Sequence, residues 1–253
     1  MPEATLADIC IAACAEAWRG DGEILASPIG TIPSLGVRLA VRTFEPDLLF
    51  TDGEAYLLGA PVPLTAKDSD KLVEGWMPFR NVFDIVWSGK RHVMMGATQI
   101  DRHGNQNISA IGDWAQPKRQ LLGVRGAPGN TVNNRTSYWV PKHSPRVFVD
   151  QVDVVSGVGP ARAKEAGAAA SRFNDIHRVV TNLAVLDVGG AGDTLRLRSV
   201  HPGVTVDEVL ESTGCDLEVA ADVPETRAPS LEELILIREV LDPKGLRSKE
   251  VPT

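Results

Sequence analysis

The sequence predicts an α/β fold with a mixed sheet, and three observations carry that prediction. Helix-like and strand-like runs alternate along the 253 residues. Leu48-Leu49-Phe50 is apolar without alternation, as in a parallel strand covered on both faces. Hydrophobic residues make up 43% and charged residues 23%. That balance is ordinary for a globular protein and excludes a disordered, collagen-like or coiled-coil chain.

Residues 5–19 read as the first helix, with Thr5 as cap and Asp8 three positions on. A short strand at 23–27 ends at Pro28. Residues 33–43 form a helix with Pro33 at its start, 47–51 the buried strand, and 52–63 a loop rich in Gly and Pro. Residues 81–87 read as a short helix. Strands at 91–100 and 105–111 pair through the turn Asp101-Arg102-His103-Gly104-Asn105.

A strand at 120–124 runs into a glycine-rich loop, and 146–155 reads as a strand with partial alternation. Residues 161–171 are rich in Ala but lack an apolar stripe, which leaves marginal helix and exposed loop both open. Strands at 177–188 and 194–200 flank Gly189-Gly190-Ala191-Gly192-Asp193. Thr205 with Glu208 opens a helix, 217–223 reads as a strand, and Ser230 with Glu233 opens the last helix. Its apolar positions Leu231, Leu234, Ile235 and Leu241 follow helical spacing. No repeat or low-complexity linker divides the chain, so one domain over residues 1–253 is expected.

The formal charge is −7. A nucleic-acid partner is therefore not expected, although a local Arg cluster or backbone amides can still hold an anion. Met1-Pro2-Glu3 carries acid where a signal peptide carries a basic segment, and no apolar run is long enough to span a bilayer. With three cysteines, the expectation is a cytoplasmic protein with reduced thiols and no membrane contact.

His92, His103, His143, His177 and His201 show no metal-ligand spacing, so no metal is expected and surface or turn positions are assigned to them. Cys10 and Cys14 stand four apart and read as small core residues. Gly157-Val158-Gly159 opens like a dinucleotide fingerprint, but Arg162 stands where the third glycine belongs.

Gly123-Val124-Arg125-Gly126-Ala127-Pro128-Gly129-Asn130 is the candidate site. It follows a strand, and its three glycines let the backbone approach a ligand and turn N–H groups outward, where they can hold a phosphate or a developing oxyanion. Gly123, Arg125, Gly126, Ala127, Gly129 and Asn130 are its candidate residues, with Asn133, Asn134 and Arg135 as further donors. Gly126 and Gly129 are expected to tolerate substitution least. A plain strand–helix turn is the competing reading. Asp52 or Glu54, beyond the buried strand, can also face a cleft at the carboxyl end of the sheet.

Three stretches resemble the beta subunit of family I coenzyme A transferases. Gln99-Ile100-Asp101-Arg102-His103-Gly104-Asn105-Gln106-Asn107 resembles the family's Gln-Val-Asp-x-x-Gly-Asn-x-Asn hairpin. Val180-Thr181-Asn182-Leu183-Ala184-Val185-Leu186 resembles its Val-x-Thr-Asp-Leu-Ala-Val strand, and Pro202-Gly203-Val204-Thr205-Val206-Asp207-Glu208 a helix start. The matches run in order over most of the chain. The resemblance implies an α/β mixed-sheet sandwich, Rossmann-like, and an acyl-CoA cleft shared with an alpha subunit.

True transferases of the family bring a nucleophilic glutamate in a Glu-(Ser/Asn)-Gly motif. Here the stretch is Thr51-Asp52-Gly53-Glu54-Ala55: Gly53 falls at the expected acid and Glu54 comes one place late. With the closing segments at 229–233 and 241–247, the sequence most resembles the steroid ring-cleaving hydrolases of this fold. That resemblance implies hydrolytic C–C cleavage of a CoA-linked steroid remnant and an alpha2beta2 heterotetramer. It also implies a general base on the alpha subunit and no cofactor beyond the CoA of the substrate. A conventional transferase with Glu54 as nucleophile and a non-catalytic structural subunit are the alternatives.

Overall fold

The computed structural model describes residues 3–52 and 55–252. The first half of the chain contains α1 (Leu6–Glu16), β1 (Leu25–Pro28), α2 (Thr31–Thr43), β2 (Leu49–Phe50), β3 (Tyr56–Leu58), β4 (Val73–Trp76), α3 (Phe79–Val86) and β5 (Arg91–Gly96). Then come β6 (Gln99–Asp101), β7 (Gln106–Asn107), β8 (Ala110–Ile111), β9 (Arg119–Gln120), α4 (Ala127–Asn133), β10 (Arg135–Val140) and β11 (Phe148–Val149). The last part holds α5 (Pro160–Glu165), α6 (Ala168–Ser171), β12 (Asp175–Thr181), β13 (Ala184–Asp187), β14 (Arg196–Val200), α7 (Val206–Glu211), α8 (Leu231–Ile235) and α9 (Arg247–Glu250).

The expected mixed sheet is present, with seven strands in the order β14-β13-β12-β10-β5-β1-β2. β2, β1, β5, β10 and β12 run parallel, whereas β13 pairs antiparallel with both of its neighbours, β12 and β14. Side chains alternate between the faces. Met94, Trp139 and Val180 pack with Leu35 and Leu39 of α2 and with Trp18. Val93, Met95, Tyr138, Val140 and Val179 join a second core with Phe148, Leu186 and Leu197. Cys10 and Cys14 are buried in the first core, as their spacing suggested. All three capping boxes read from sequence form, at Thr5, Thr205 and Ser230.

Several elements differ from the sequence reading. The expected 91–111 hairpin is divided: β5 joins the main sheet, while β6 and β7 pair apart from it and β11 adds to them. Residues 177–188 are not one strand but two, because the chain turns at Asn182 and Leu183, where the Thr181 hydroxyl accepts the Leu183 and Ala184 amides. The expected strand at 217–223 is reduced to one isolated bridge, Glu218 with Arg196 of β14, and that at 120–124 to Arg119–Gln120. The undecided 161–171 segment forms two short helices. A strand ribbon, β3–β4, stands partly within the expected 52–63 loop.

The central strand β10 has no counterpart in the sequence reading. Its first half, Arg135-Thr136-Ser137, is too polar to read as a buried strand. Burial is tolerable because each polar group is satisfied. Ser137 Oγ lies 2.9 Å from His92 Nε2, and Arg135 is paired with Asp21 and Asp175, each at 2.8 Å. His92, His143 and His201 are buried rather than on the surface or in turns, for the same reason. His143 meets the hydroxyls of Thr181 and Thr213, and His201 meets Thr226 and the Thr181 carbonyl.

Candidate functional site

The chain passes from β1 outward to β2 and then returns to the other side of β1 as β5, so strand order reverses between β1 and β5. A ligand crevice is expected beyond the carboxyl ends of strands at such a point. A cavity of about 850 Å³ lies there. Ile29 and Gly30 follow β1, Gly96, Ala97 and Thr98 end and follow β5, and Trp139 and Pro141 mark the end of β10; all seven line it. A smaller cavity of about 250 Å³ adjoins it, sharing Ile29, Val82 and Arg91.

The glycine-rich loop forms one wall. Arg125, Gly126, Ala127, Gly129 and Asn130 line the large cavity, whereas Gly123 does not. The loop's left-handed positions are Gly123, at φ 76°, and Arg125, at φ 50°. Gly126 has φ −86°, a conformation open to any residue, and a Cβ there would make only ordinary contacts. The expectation that Gly126 is among the least tolerant positions is therefore not met by its backbone. Gly129 is different: an added Cβ would lie 2.3 Å from Val86 Cγ1.

Several expected donors are committed elsewhere. Ala127 N–H is bonded to Val124 O at 3.1 Å. Asn130 is buried, with Oδ1 accepting from Arg91 Nη1 at 3.1 Å and Nδ2 directed at Met95 Sδ. Asn133 bonds back to the Gly129 carbonyl, Asn134 to the Val86 carbonyl, and Arg135 to its two aspartates. These three fix α4 and β10 rather than face a ligand.

Facing the loop is α3. Val82, Phe83, Val86 and Trp87 line the cavity together with Leu122 and Ile108. Phe83 is 56% exposed and Trp87 68% exposed, so this wall is apolar and open. Its sequence signal is Phe79, Phe83 and Trp87 at successive four-residue steps, which place them on one helix face.

Two charged side chains missed from sequence complete the cavity. Arg91 heads β5 and lines both cavities; its Nε donates to Ser27 Oγ at 2.9 Å. Burial pushes its guanidinium below the usual value. Its only sequence signal is its place, after Lys90, at the start of an apolar strand. Glu250 arrives from α9, far along the chain. It accepts the Thr31 amide at 2.7 Å and the Trp139 indole N–H at 2.6 Å, so it caps α2 and fixes the end of β10.

Glu54 and Gly53 lie outside the described residues. Their neighbour Asp52 lines the small cavity, its side chain 2% exposed and 2.9 Å from Lys71 Nζ. Arg38 lines it too; burial pushes Arg38 down to about 10, although Asp52 opposes the shift.

A second constellation is sealed. Ser137, His92 and Asp21 form a hydrogen-bonded chain of 2.9 and 2.6 Å, the order of a nucleophilic triad. Ser137 and His92 are fully buried, and none of the three lines either cavity. Substrate has no route to it, and its work is to satisfy β5 and β10.

Comparison with known proteins places this geometry. The chain is 56% identical over 249 residues to the cholesterol ring-cleaving hydrolase IpdB subunit of Rhodococcus jostii, covering 98% of this chain and 97% of that one. It is 49% identical over 247 residues to the IpdB subunit of Mycobacterium tuberculosis, covering 98% of each. The crystal structure of Rhodococcus jostii RHA1 IpdAB matches with a TM-score of 0.95 over all of both chains. The model of the coenzyme A transferase family matches residues 20–212. With residues 20–212 inside the family model and about half of its residues shared with full-length relatives, the chain belongs to the coenzyme A transferase family.

Proposed function

We propose that this chain, acting as one domain over residues 1–253, is the beta subunit of a hydrolase that opens the last ring of a CoA-linked steroid remnant. The observation that carries the reading is the 56% identity, over nearly the full length of both chains, to a relative named as the IpdB subunit of a cholesterol ring-cleaving hydrolase. The matched crystal structure is of IpdAB, which supports an alpha partner; the alpha2beta2 assembly is what the family resemblance implies. The acidic net charge argues against nucleic acid. Among the described residues no helix is long and apolar enough to cross a membrane. We place the enzyme in the cytoplasm.

The substrate is a 3-oxo thioester whose ketone lies in the ring. A general base on the alpha subunit takes a proton from water, and the water oxygen bonds to the ketone carbon. The tetrahedral intermediate collapses to a carboxylic acid. The ring C–C bond breaks, and its electron pair passes into an enolate conjugated with the thioester, which then takes a proton on carbon. This path needs a base and oxyanion donors but no thioester-forming nucleophile and no cofactor.

The chain's own share is the cleft wall made by Arg125, Gly126, Ala127, Gly129 and Asn130, with Gly123 shaping the loop behind it. The amide donors are those of Gly126 and Gly129 beside the first turn of α4, where helix N–H groups lack intrahelical partners. Pro128 has no N–H, and that of Ala127 is already used. Arg125 at the rim suits the anionic ester. The α3 wall suits an apolar ring remnant.

The test is reconstitution. Co-purified with an alpha-type partner subunit, the chain should incorporate one oxygen from labelled water into a new carboxyl group as the ring opens. Alone it should not turn over. Full turnover by the isolated chain, or a glutamyl–CoA adduct trapped at Glu54 by borohydride, overturns the reading in favour of a conventional transferase.

A further inference from the structure

A buried charge is expensive unless an opposite charge or several hydrogen bonds compensate it. Several half-buried cations of this chain follow the rule. Arg247 lies 3.0 Å from Asp8 and 3.0 Å from Asp242, and Arg238 lies 2.6 Å from Asp8. Lys71 has Asp52 and Asp68. Arg135 has Asp21 and Asp175.

Arg38, held by the Ser34 and Val62 carbonyls, and Arg91 depart from the pattern, and of the two only Arg91 lines the large cavity. The partners of Arg91 are neutral: the Ser27 hydroxyl and the Asn130 carbonyl. Among the described residues no carboxylate lies within ion-pair distance of it. Glu250, the carboxylate of the same cavity, is held by the Thr31 and Ile32 amides and by the Trp139 indole. Arg91 cannot relieve its burial by losing its proton, because a guanidinium stays charged in proteins. The chain thus keeps a permanent, locally uncompensated positive charge in the wall between two cavities, opposite an apolar helix face. Low polarity there strengthens its attraction for an anion.

Asn130 is the second half of the arrangement. It stands in α4, directly behind the glycine-rich loop, and its side-chain oxygen fixes the Arg91 guanidinium. Loop and cation are thus locked in one register.

We propose that Arg91 is the anion-binding group of this cavity, holding the oxygen on which negative charge develops as the ring C–C bond breaks. This rests on the hydrolase reading above. The ligand it recognises is the enolate of a thioester, and Asn130 is its positioning residue.

The test uses the reconstituted complex with Arg91→Met, Arg91→Lys and Asn130→Ala. Two measurements are made beside turnover: thermal melting, and binding of a CoA ester carrying an acidic 1,3-diketone against its neutral monoketone counterpart. Arg91→Met should lower kcat by about 10²–10³-fold, the scale of losing one oxyanion donor. It should also reduce the preference for the acidic analogue by at least about tenfold. Melting should stay level or rise, because a strained charge is removed. Arg91→Lys should recover part of the preference, and Asn130→Ala should lower kcat more than it raises KM.

A merely structural arginine gives the opposite pattern: lower melting with the analogue preference intact. That result overturns the proposal, as does a kcat within about threefold of the parent. If the parent complex fails to open rings yet binds the acidic analogue through Arg91, the hydrolase reading fails and the anion site stands.

Discussion

Val86 Cγ1 lies so close to the backbone of Gly129 that a methyl group placed there would sit 2.3 Å from it. This contact sets the distance between α3 and α4, and hence the width of the cavity between them. Gly129→Ala must push α3 outward. A cost of about 1–3 kcal/mol is expected, as for an overpacked core site. Removing the opposing methyls should relieve it: a Gly129→Ala, Val86→Ala double-mutant cycle, read by denaturant unfolding, should give a coupling of at least about 0.5 kcal/mol. Strictly additive effects would show that the two residues do not define the spacing. Gly126→Ala, by contrast, should leave stability within about 0.5 kcal/mol, since its φ of −86° suits any residue.

The same wall sets the next expectation. Trp87 and Phe83 are large, apolar and open to the cavity. Trp87→Ala should raise KM for a ring-bearing CoA ester by about tenfold, the loss expected when roughly 1.4 kcal/mol of apolar contact disappears. The KM for a short-chain ester should change little. If both rise together, Trp87 binds the CoA part or the partner subunit instead.

Fold class was legible in the sequence because local signals reported it. The capping boxes at Thr5, Thr205 and Ser230 and the apolar run at Leu48–Phe50 depend only on neighbours in the chain. β10 was not legible, because its polar residues are satisfied by His92, Asp21 and Asp175, at separations of 40 residues or more. The glycine-rich loop was found by composition, but which glycine is obligatory depends on Val86, which composition does not reveal. Arg91 and Glu250 were missed for a like reason. Each reaches the cavity only through the strand order and the closing helix.

Glu54 provides a test of reaction type. The position is one place late for the transferase glutamate, so the water reaction should not depend on it. Glu54→Gln in the reconstituted complex should keep kcat within about tenfold, roughly 1.4 kcal/mol of barrier. A fall of several orders of magnitude, together with a CoA adduct in the parent, assigns it the nucleophile's role.

Acid should destabilise the fold through histidines that have no direct part in the cleft. Burial pushes His143 from 6.5 down to about 4, and it pushes His177 and His201 in the same direction. His143 lies against Phe148, with its ring nitrogens on the Thr181 and Thr213 hydroxyls, so there is no charge partner to welcome a second proton. Below pH 6.5 the unfolded chain takes up a proton at this histidine that the folded chain refuses. The stability present above pH 6.5 is therefore lost progressively down to about 4, and His143 alone accounts for up to about 3 kcal/mol. Replacing it by Gln keeps hydrogen-bonding capacity and removes the titration. His143→Gln should be less stable than the parent at pH 7, because the ring contact with Phe148 is gone, yet should lose less stability between pH 7 and pH 5. Chemical unfolding at the two pH values measures both quantities. An unchanged pH difference in the variant would move the acid sensitivity to the other two histidines pushed down by burial, His177 and His201.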